Sequence, residues 1–106
     1  QSIPAQYVAY SPQAVANDTR EKVLFFYPDW CPKCRALDAD IQQQLGSLNN
    51  ITIYKVNYDT ETALRKQYDV TLQTTLVKTD KDGNKLASYV AYEDPTLAAV
   101  RRGLGL

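Results

Sequence analysis

The only two cysteines in this chain of 106 residues, Cys31 and Cys34, are separated by two residues. Cysteines at this spacing can close a disulfide within one turn of backbone and open it again, which makes a two-electron redox switch the leading hypothesis. The chain contains no histidine, which removes the usual acid–base group at neutral pH and the commonest metal ligand. Catalysis would therefore depend on cysteine, carboxylate, lysine or tyrosine side chains.

The segments on either side of the pair predict a strand followed by a helix. The mostly apolar run 22–27 is typical of a strand buried on both faces, and Pro32 suits the first turn of a helix. Cys31 would then lie at a helix N-terminus, where backbone N–H groups favour the thiolate. Lys33 would add positive charge nearby. Cys34, one turn further along, would be the resolving thiol that releases a bound partner.

Three other interpretations of the cysteine pair stay open. A structural disulfide that closes only four residues would stabilise the fold by roughly 2 kcal/mol. Half of a structural zinc site is a second interpretation, but such a site needs four Cys or His ligands and this chain offers two. Two unpaired core cysteines are the third, for which a Trp-Cys-Pro-Lys-Cys turn is a poor location.

The remaining elements predict a single α/β domain over residues 1–106. Strands are predicted at 6–10, 22–27, 51–57, 74–79 and 85–91, and helices at 12–18, 32–48, 60–68 and 94–103. Ser11, Thr60 and Asp94 are predicted helix caps, and Gly83 can take a positive φ in the hairpin turn 80–84. The order βαβαβα followed by ββα predicts a mixed central sheet with helices on both faces.

Charge and hydropathy exclude several classes of partner. Twelve basic and twelve acidic side chains cancel, so no surface for nucleic acid or anionic lipid is expected. No apolar run approaches the roughly 18 to 20 residues that cross a bilayer, so no membrane span is predicted in this chain. We expect a monomer. The start at Gln1 and the lack of further cysteines favour a trimmed extracytoplasmic or membrane-tethered domain, although a cytoplasmic protein would look much the same.

The segment 29–34, Asp-Trp-Cys-Pro-Lys-Cys after an apolar strand, resembles the active-site segment of the thioredoxin superfamily. The similarity covers nearly the whole chain, because the predicted element order is also that of the family. It implies a three-layer thioredoxin-like fold and a thiol–disulfide oxidoreductase that uses a redox-active disulfide and no other cofactor. As in the family, Cys31 would be the exposed nucleophile and Cys34 the buried resolving cysteine. Trp30 would match the tryptophan packed beside them.

Three further positions are interpreted through the resemblance. Lys55 matches the lysine that approaches the site from behind, unless it is an ordinary surface lysine. Phe25 stands where the family has a buried aspartate that helps move the proton of the resolving cysteine, so that relay is missing or replaced. Thr74 stands where the family has a cis-proline that faces the cysteines. Since a cis bond before a non-proline residue costs about 2.5 to 4 kcal/mol, we predict a trans bond between Gln73 and Thr74, a reshaped loop and a hydroxyl near the sulfurs; the alternative is an ordinary strand threonine.

Two main functional hypotheses follow. In the first, Cys31 attacks disulfides of partner proteins, Cys34 resolves the intermediate and an outside redox partner resets the pair. The dipeptide Pro32-Lys33 matches neither the Gly-Pro of reducing thioredoxins nor the Pro-His of strong oxidants, and we favour reduction or exchange over oxidation. In the second, Cys31 and Cys34 of two chains together bridge an iron–sulfur cluster or a metal, which requires four thiolates. This chain has Thr74 in place of the proline that, in the family, shields the thiols from metal. A binding module with an inert disulfide is a third hypothesis.

Overall fold

The computed structural model describes residues 3–106, and within them the chain forms five strands, four α-helices and one 3₁₀ turn. The strands are β1 (Gln6–Ala9), β2 (Glu21–Tyr27), β3 (Ile51–Asn57), β4 (Thr75–Thr79) and β5 (Lys85–Val90). The helices are α1 (Pro12–Asn17), α2 (Pro32–Gln44), α3 (Thr62–Gln67) and α4 (Leu97–Leu104), and the 3₁₀ turn Leu45–Ser47 extends α2. This order confirms the predicted βαβαβα–ββα arrangement. Among these residues, none of the helices has the length and apolar character that crossing a membrane requires.

One mixed sheet contains all five strands, in the order β1-β3-β2-β4-β5. Strands β1 and β2 both run parallel to β3, whereas β4 is antiparallel to β2 and to β5. In the β2–β4 pair, Phe26 lies opposite Thr75. The carboxyl end of β2 and the amino end of β4 therefore meet at one edge of the sheet, which brings the cysteine segment beside the residues that precede β4.

The central strand β2 is buried on both faces, as its continuous apolar sequence predicts. Val23 and Phe25 point into a layer formed with α2 and α4, and this layer also contains both cysteines. Leu24 and Phe26 point into a second layer formed with α1 and α3. The sheet thus separates two apolar layers, and the cysteines belong to only one of them.

The start of α3 differs from its predicted position. The helix begins at Thr62 with Glu61 at the cap position, and Glu61 makes no side-chain cap hydrogen bond, so the prediction of Thr60 as the cap was wrong. The turn after β3 is instead held by Asn57, the last residue of that strand. Asn57 Oδ1 accepts the backbone N–H groups of Asp59 at 2.9 Å and Thr60 at 3.2 Å, which delays the helix by two residues.

The start of α4 also lies later than predicted. Thr96, rather than Asp94, is the cap, and its side chain accepts the N–H of Ala99 at 3.2 Å. The N–H of Leu97 finds a distant acceptor, because Asp40 Oδ2 on α2 lies 2.7 Å away. A helix N–H group satisfied by another helix is a tertiary contact, which local capping rules do not contain.

The end of α4 passes through Gly103, which was predicted to end it. A Cβ atom at Gly103 would overlap the ring of Tyr89 on β5, so this glycine allows close packing of the helix on the sheet. The helix ends instead at Gly105, which takes a left-handed conformation with φ 70°. Glycine adopts this conformation without a side-chain penalty.

Candidate active site

Cys31 is the cap residue of α2, and its sulfur faces the first turn of that helix. The Sγ atom accepts the N–H of Cys34 at 3.2 Å, and Pro32 occupies the first turn, where its missing N–H costs nothing. Upstream, the N–H of Cys31 donates to the Pro28 carbonyl at 3.2 Å and closes the turn that leaves β2. The predicted position of Cys31 at a helix N-terminus is confirmed.

Both cysteines are free thiols, and both are buried. Cys31 is 1% exposed and Cys34 is 0% exposed. The expectation that Cys31 is exposed was therefore wrong for this structure, because its side chain belongs to the same apolar cluster as Cys34 and Ala91. Attack on a disulfide of another protein requires a local displacement of the chain around Cys31.

The two thiols differ in acidity. Burial acts to raise the pKa of Cys31, but hydrogen bonds from the side chains of Cys34 and Thr74 and from the backbone of Cys34 and Lys33 outweigh it and lower the pKa. Burial raises the pKa of Cys34, and its hydrogen bond to Cys31 adds to that effect. Cys31 is therefore the more acidic of the two thiols, and Cys34 holds its proton more firmly.

Thr74 contacts both sulfurs. Its Oγ1 lies 3.1 Å from Cys34 Sγ and 3.6 Å from Cys31 Sγ, and its side chain is fully buried. The peptide bond between Gln73 and Thr74 is trans, as predicted. The prediction of a hydroxyl near the sulfurs is also confirmed. Thr74 precedes β4 and has φ 61°. A β-branched residue in the left-handed region is an outlier, so the interpretation of Thr74 as an ordinary strand threonine was wrong.

The loop before β4 is held by contacts on several sides. The Thr74 carbonyl accepts the N–H of Ala91 at 2.9 Å, and Thr75 Oγ1 donates to the Leu72 carbonyl at 2.6 Å. Gln73, which was predicted to support the site, is half-buried between these two contacts. The surrounding hydrogen bonds keep Thr74 in a conformation that it would rarely adopt alone.

Trp30 lies beside the cysteines in sequence but not in the buried layer. It is 57% exposed, its Nε1 donates to Asp59 Oδ2 at 3.1 Å, and its ring meets Tyr58 edge-on at 6.4 Å. Trp30 is therefore not part of the buried cluster that contains the cysteines, and Asp59 satisfies its indole N–H at the surface. The indole instead presents an aromatic surface next to Cys31.

Lys33 acts on Cys31 through its backbone. The N–H of Lys33 is one of the groups that lower the pKa of Cys31. Its ammonium lies 5.5 Å from the centroid of the Tyr92 ring. The N–H groups of the first turn of α2 thus add to the side-chain hydrogen bonds of Cys34 and Thr74 in lowering the pKa of Cys31, as expected at a helix N-terminus.

Phe25 is fully buried, and its ring meets that of Tyr27 edge-on at 5.6 Å. No carboxylate therefore stands at the family's acid position. Lys55 lies opposite Phe25 on β3, with its ammonium 4.0 Å from the centroid of the Tyr27 ring and 3.4 Å from Asp38 Oδ1. The Lys55 side chain is 37% exposed and joins an ion pair and a cation–π contact with residues of β2 and α2. Both interpretations of Lys55, the lysine behind the site and a surface lysine, stay predictions.

Asp38 and Tyr7 are two residues of this region that the sequence did not single out. Asp38 lies four residues after Cys34, one turn further along the same side of α2. Its Oδ1 accepts the hydroxyl of Tyr7 at 2.6 Å, and burial and this hydrogen bond raise the pKa of Tyr7. The spacing of four residues was readable in the sequence, whereas the arrival of Tyr7 depends on the pairing of β1 with β3.

The geometry does not favour a cluster shared between two chains. Both sulfurs are buried and contact Thr74, so a ligand held by a second chain could reach neither without rearrangement. Within residues 3–106, no group of three or more His, Cys, Asp or Glu side chains is placed to hold a metal ion. The redox-active group is the pair Cys31 and Cys34.

Known proteins resemble this chain in both sequence and structure. Residues 7–100 match the family model described as Thioredoxin. A thioredoxin of Chlamydia pneumoniae is 33% identical over 69 residues, which cover 65% of this chain and 67% of that protein. A thioredoxin-like protein of Fusarium culmorum is 30% identical over 102 residues, which cover 88% of this chain and 83% of that protein. The crystal structure of Trxlp from Edwardsiella tarda superposes with a TM-score of 0.75 at 23% identity, over 92% of this chain and 97% of that one.

The match spans the elements that position the site, from β1 through the first half of α4. It includes the two cysteines at the start of α2, whose pKa values move in opposite directions. A dithiol with one acidic and one protonated sulfur has the asymmetry that thiol–disulfide exchange requires. The chain belongs to the thioredoxin family and is a thiol–disulfide oxidoreductase.

Proposed function

We propose that this protein reduces or exchanges disulfides of partner proteins, with Cys31 as the attacking thiol and Cys34 as the resolving thiol. The observation that carries the proposal is the asymmetry of the pair: Cys31 accepts a backbone N–H at the start of α2, and its pKa is lowered. Burial keeps Cys34 protonated. Only one sulfur is therefore ready to attack, and the second waits one helical turn away.

The reaction takes two exchange steps. The Cys31 thiolate attacks one sulfur of the partner's disulfide, a mixed disulfide forms, and the other partner sulfur leaves with the electron pair. Cys34 then attacks Cys31, loses its proton and displaces the second partner sulfur as a thiol. The enzyme is left with a disulfide between Cys31 and Cys34. An outside dithiol or reductase returns two electrons and two protons and resets the pair.

The surface around the cysteines suits a polypeptide substrate. Three exposed apolar side chains come from three segments that meet there: Trp30 is 57% exposed, Leu72 54% and Tyr92 45%. The hydrogen bond from the Ala91 N–H to the Thr74 carbonyl joins the segments of Tyr92 and Leu72, and the contact between Cys31 Sγ and Thr74 Oγ1 brings the segment of Trp30 beside them. An apolar rim above a buried thiolate can bind an extended chain while excluding water from the exchanging sulfurs.

The trapping experiment for this proposal compares two single variants. We expect Cys34→Ser to accumulate a mixed disulfide with a disulfide-bonded protein substrate, because Cys31 can attack but nothing resolves the product. We expect Cys31→Ser to form none and to lose at least about a thousandfold in turnover. Mass spectrometry of the adduct and an insulin-reduction assay measure the two results. An adduct that forms in Cys31→Ser but not in Cys34→Ser would reverse the assignment.

The direction of exchange is set by the reduction potential of the pair. We propose a reductase or general exchange enzyme, supported by the similarity to thioredoxins and by the absence, between Cys31 and Cys34, of the Pro-His dipeptide of strong oxidants. Hydrogen bonds that stabilise the Cys31 thiolate act in the opposite direction, because they favour the reduced pair. A potential between about −270 and −180 mV against a glutathione buffer agrees with a reductase or exchange enzyme, whereas a value near −120 mV belongs to a strong oxidant.

Location and assembly extend the proposal. A monomer outside the cytoplasm, free or tethered to a membrane, is supported by the absence of any cysteine beyond the redox pair. Sedimentation of the purified chain measures its mass. Labelling of the native protein in intact cells with a membrane-impermeant thiol reagent tests the compartment, and labelling that appears only after lysis contradicts it.

A further inference from the structure

We propose that Thr74 is a catalytic residue of the exchange reaction, whose hydroxyl donates a hydrogen bond to whichever of the two sulfurs carries the negative charge. The inference rests on the proposed function and deepens it. Its basis is a single side chain that touches both reacting atoms, with Oγ1 3.1 Å from Cys34 Sγ and 3.6 Å from Cys31 Sγ. A hydroxyl can both donate and accept, so it pairs with a thiol as well as with a thiolate.

The backbone of Thr74 indicates that this contact has a cost in conformational free energy. Its φ of 61° is a conformation that β-branched residues rarely adopt. Thr79, at the other end of β4, is also buried, but it lies in extended strand and its hydroxyl donates to the Asp80 carbonyl at 3.0 Å. Strain in the residue that faces the sulfurs, and none in its counterpart, points to a role in the chemistry.

A proline at this position would supply neither donor. Proline has no hydroxyl and no backbone N–H. In this chain, hydrogen bonds from the Thr74 side chain and backbone both lower the pKa of Cys34, against the larger effect of burial. The Thr74 side chain also lowers the pKa of Cys31. The residue therefore favours the thiolate form of both sulfurs, which a buried pair without a neighbouring carboxylate needs.

The hydroxyl can serve the two sulfurs in turn because only its hydrogen has to move. Before attack, the Cys31 thiolate accepts the hydrogen bond. Once the mixed disulfide has formed, Cys31 is uncharged, and rotation about the Cβ–Oγ1 bond redirects the hydrogen to Cys34. The bond between Cys34 and Cys31 then forms as the bond between Cys31 and the partner breaks. The partner sulfur leaves with the electron pair and takes up the proton that Cys34 has lost.

The test compares Thr74→Val, which keeps the shape and removes the hydroxyl, with Thr74→Ser, which keeps the hydroxyl. Thr79→Val is the matched control, because it makes the same change at a buried threonine at the far end of β4, away from the sulfurs. The first readout is the pKa of Cys31 from thiolate absorbance. The second is the rate at pH 7 at which Cys34 resolves a preformed mixed disulfide with a small aromatic thiol.

In Thr74→Val we expect a higher pKa for Cys31 and a roughly tenfold slower resolution step, the size of effect that a hydrogen bond to a charged group gives. We expect Thr74→Ser to stay within about threefold of the parent rate and Thr79→Val to change neither readout. If Thr74→Val does not fold, Thr74→Ala replaces it in the same comparison with Thr74→Ser.

Two results would overturn the inference. One is an unchanged Cys31 pKa and an unchanged resolution rate when the hydroxyl is removed. The other is a Thr74→Ser variant as slow as Thr74→Val, which would assign the effect to packing of the methyl group. Thiolate titration needs no protein substrate. A parent enzyme that reduces no protein disulfide would therefore remove the proposed function, while the titration still decides whether Thr74 acts on the sulfurs.

Discussion

The two ends of the β2–β4 strand pair differ in what their buried polar side chains contact. At the end that carries the cysteines, Thr74 is strained and its hydroxyl lies against two reactive sulfurs. At the other end, Lys22 is only 1% exposed. Its ammonium donates to the carbonyls of Arg20 and Lys81, both at 3.0 Å. Both ends bury polar atoms, but the Thr74 hydroxyl contacts reactive sulfurs whereas the Lys22 ammonium contacts inert backbone carbonyls.

We call the end of the strand pair that contains Lys22, away from the cysteines, the structural end. The hairpin turn next to Lys22 shows how this end avoids backbone strain. Gly83 takes the left-handed conformation there, with φ 86°, as predicted. Asp80 Oδ1 accepts the N–H groups of Asp82 and Asn84, both at 2.9 Å, and the hydrogen bond from the Asn84 backbone is the main cause that lowers the pKa of Asp80. At the two ends of this strand pair, therefore, positive φ falls on a glycine where only a turn is needed, and on a threonine where a side chain reaches the sulfurs.

The largest effect expected from this comparison is a pH dependence confined to the reactive end. The pKa of Cys31 is lowered, so its alkylation by iodoacetamide should reach half its maximal rate below the usual thiol pKa of about 8.5. Below that midpoint the rate should fall about tenfold for each pH unit, because only the thiolate reacts.

The same pKa shifts make the free energy of unfolding depend on pH. The lowered folded-state pKa of Cys31 contributes stability above the unfolded-state pKa, and this contribution is lost as the pH falls through the folded-state pKa. The pKa of Cys34 is raised in the folded state, so its effect on stability has the opposite pH dependence. Its contribution to the free energy of unfolding is present below the unfolded-state pKa and is lost as the pH rises through the folded-state pKa.

The control for the alkylation prediction is the same protein unfolded in urea. Its cysteines should react with the midpoint of an ordinary thiol. Equal midpoints in the folded and unfolded chains would mean that the first turn of α2 does not favour the thiolate.

A smaller effect, on stability alone, is expected at the structural end. Lys22→Met keeps most of the side-chain volume but removes the donor from the Arg20 and Lys81 carbonyls, which are only partly buried, so the free energy of unfolding should fall by about 1 to 3 kcal/mol. The exposed Lys81→Met in the same turn removes the same charge and should change stability by less than about 0.5 kcal/mol. Urea unfolding measures both. The exchange rate of the folded Lys22→Met protein should equal that of the parent, and a parallel loss of exchange rate would break the separation between the two ends.

The smallest effect is expected behind the cysteines. Asp38→Asn weakens the hydrogen bond from Tyr7 and removes the ion pair with Lys55. We expect a loss of about 1 to 2 kcal/mol in the free energy of unfolding, mostly from the hydrogen bond, because Lys55 is partly exposed and its ion pair is screened. Asp82→Asn, at an exposed position, is the control. No change in thermal unfolding for Asp38→Asn would show that the contact between α2, β1 and β3 adds nothing to the fold.

Local rules predicted the parts of the fold that neighbours in sequence decide. Ser11 caps α1 by accepting the N–H of Ala14 at 3.0 Å, as expected for a serine before a proline. The strand 51–57 was also correctly bounded. The caps of α3 and α4 were misassigned, because Asn57 holds the turn before α3 and Asp40 reaches the first turn of α4 from another helix.

The candidate site divides along the same line. The helix position of Cys31 follows from the strand, turn and proline beside it, so it could be predicted. The burial of Cys31 and the exposure of Trp30 could not, since they depend on Ala91 and Asp59, residues distant in sequence that pack against the turn.

The sequence by itself determined the chemistry of this protein. Two cysteines at this spacing, after an apolar strand and on either side of a proline, made disulfide exchange at a helix N-terminus the leading hypothesis. Only the tertiary structure decided how the protons are managed, because Thr74 reaches the sulfurs across about 40 residues of chain through the antiparallel pairing of β2 with β4. Its φ of 61° is likewise set by hydrogen bonds from other segments, since nothing in the local sequence favours a left-handed threonine.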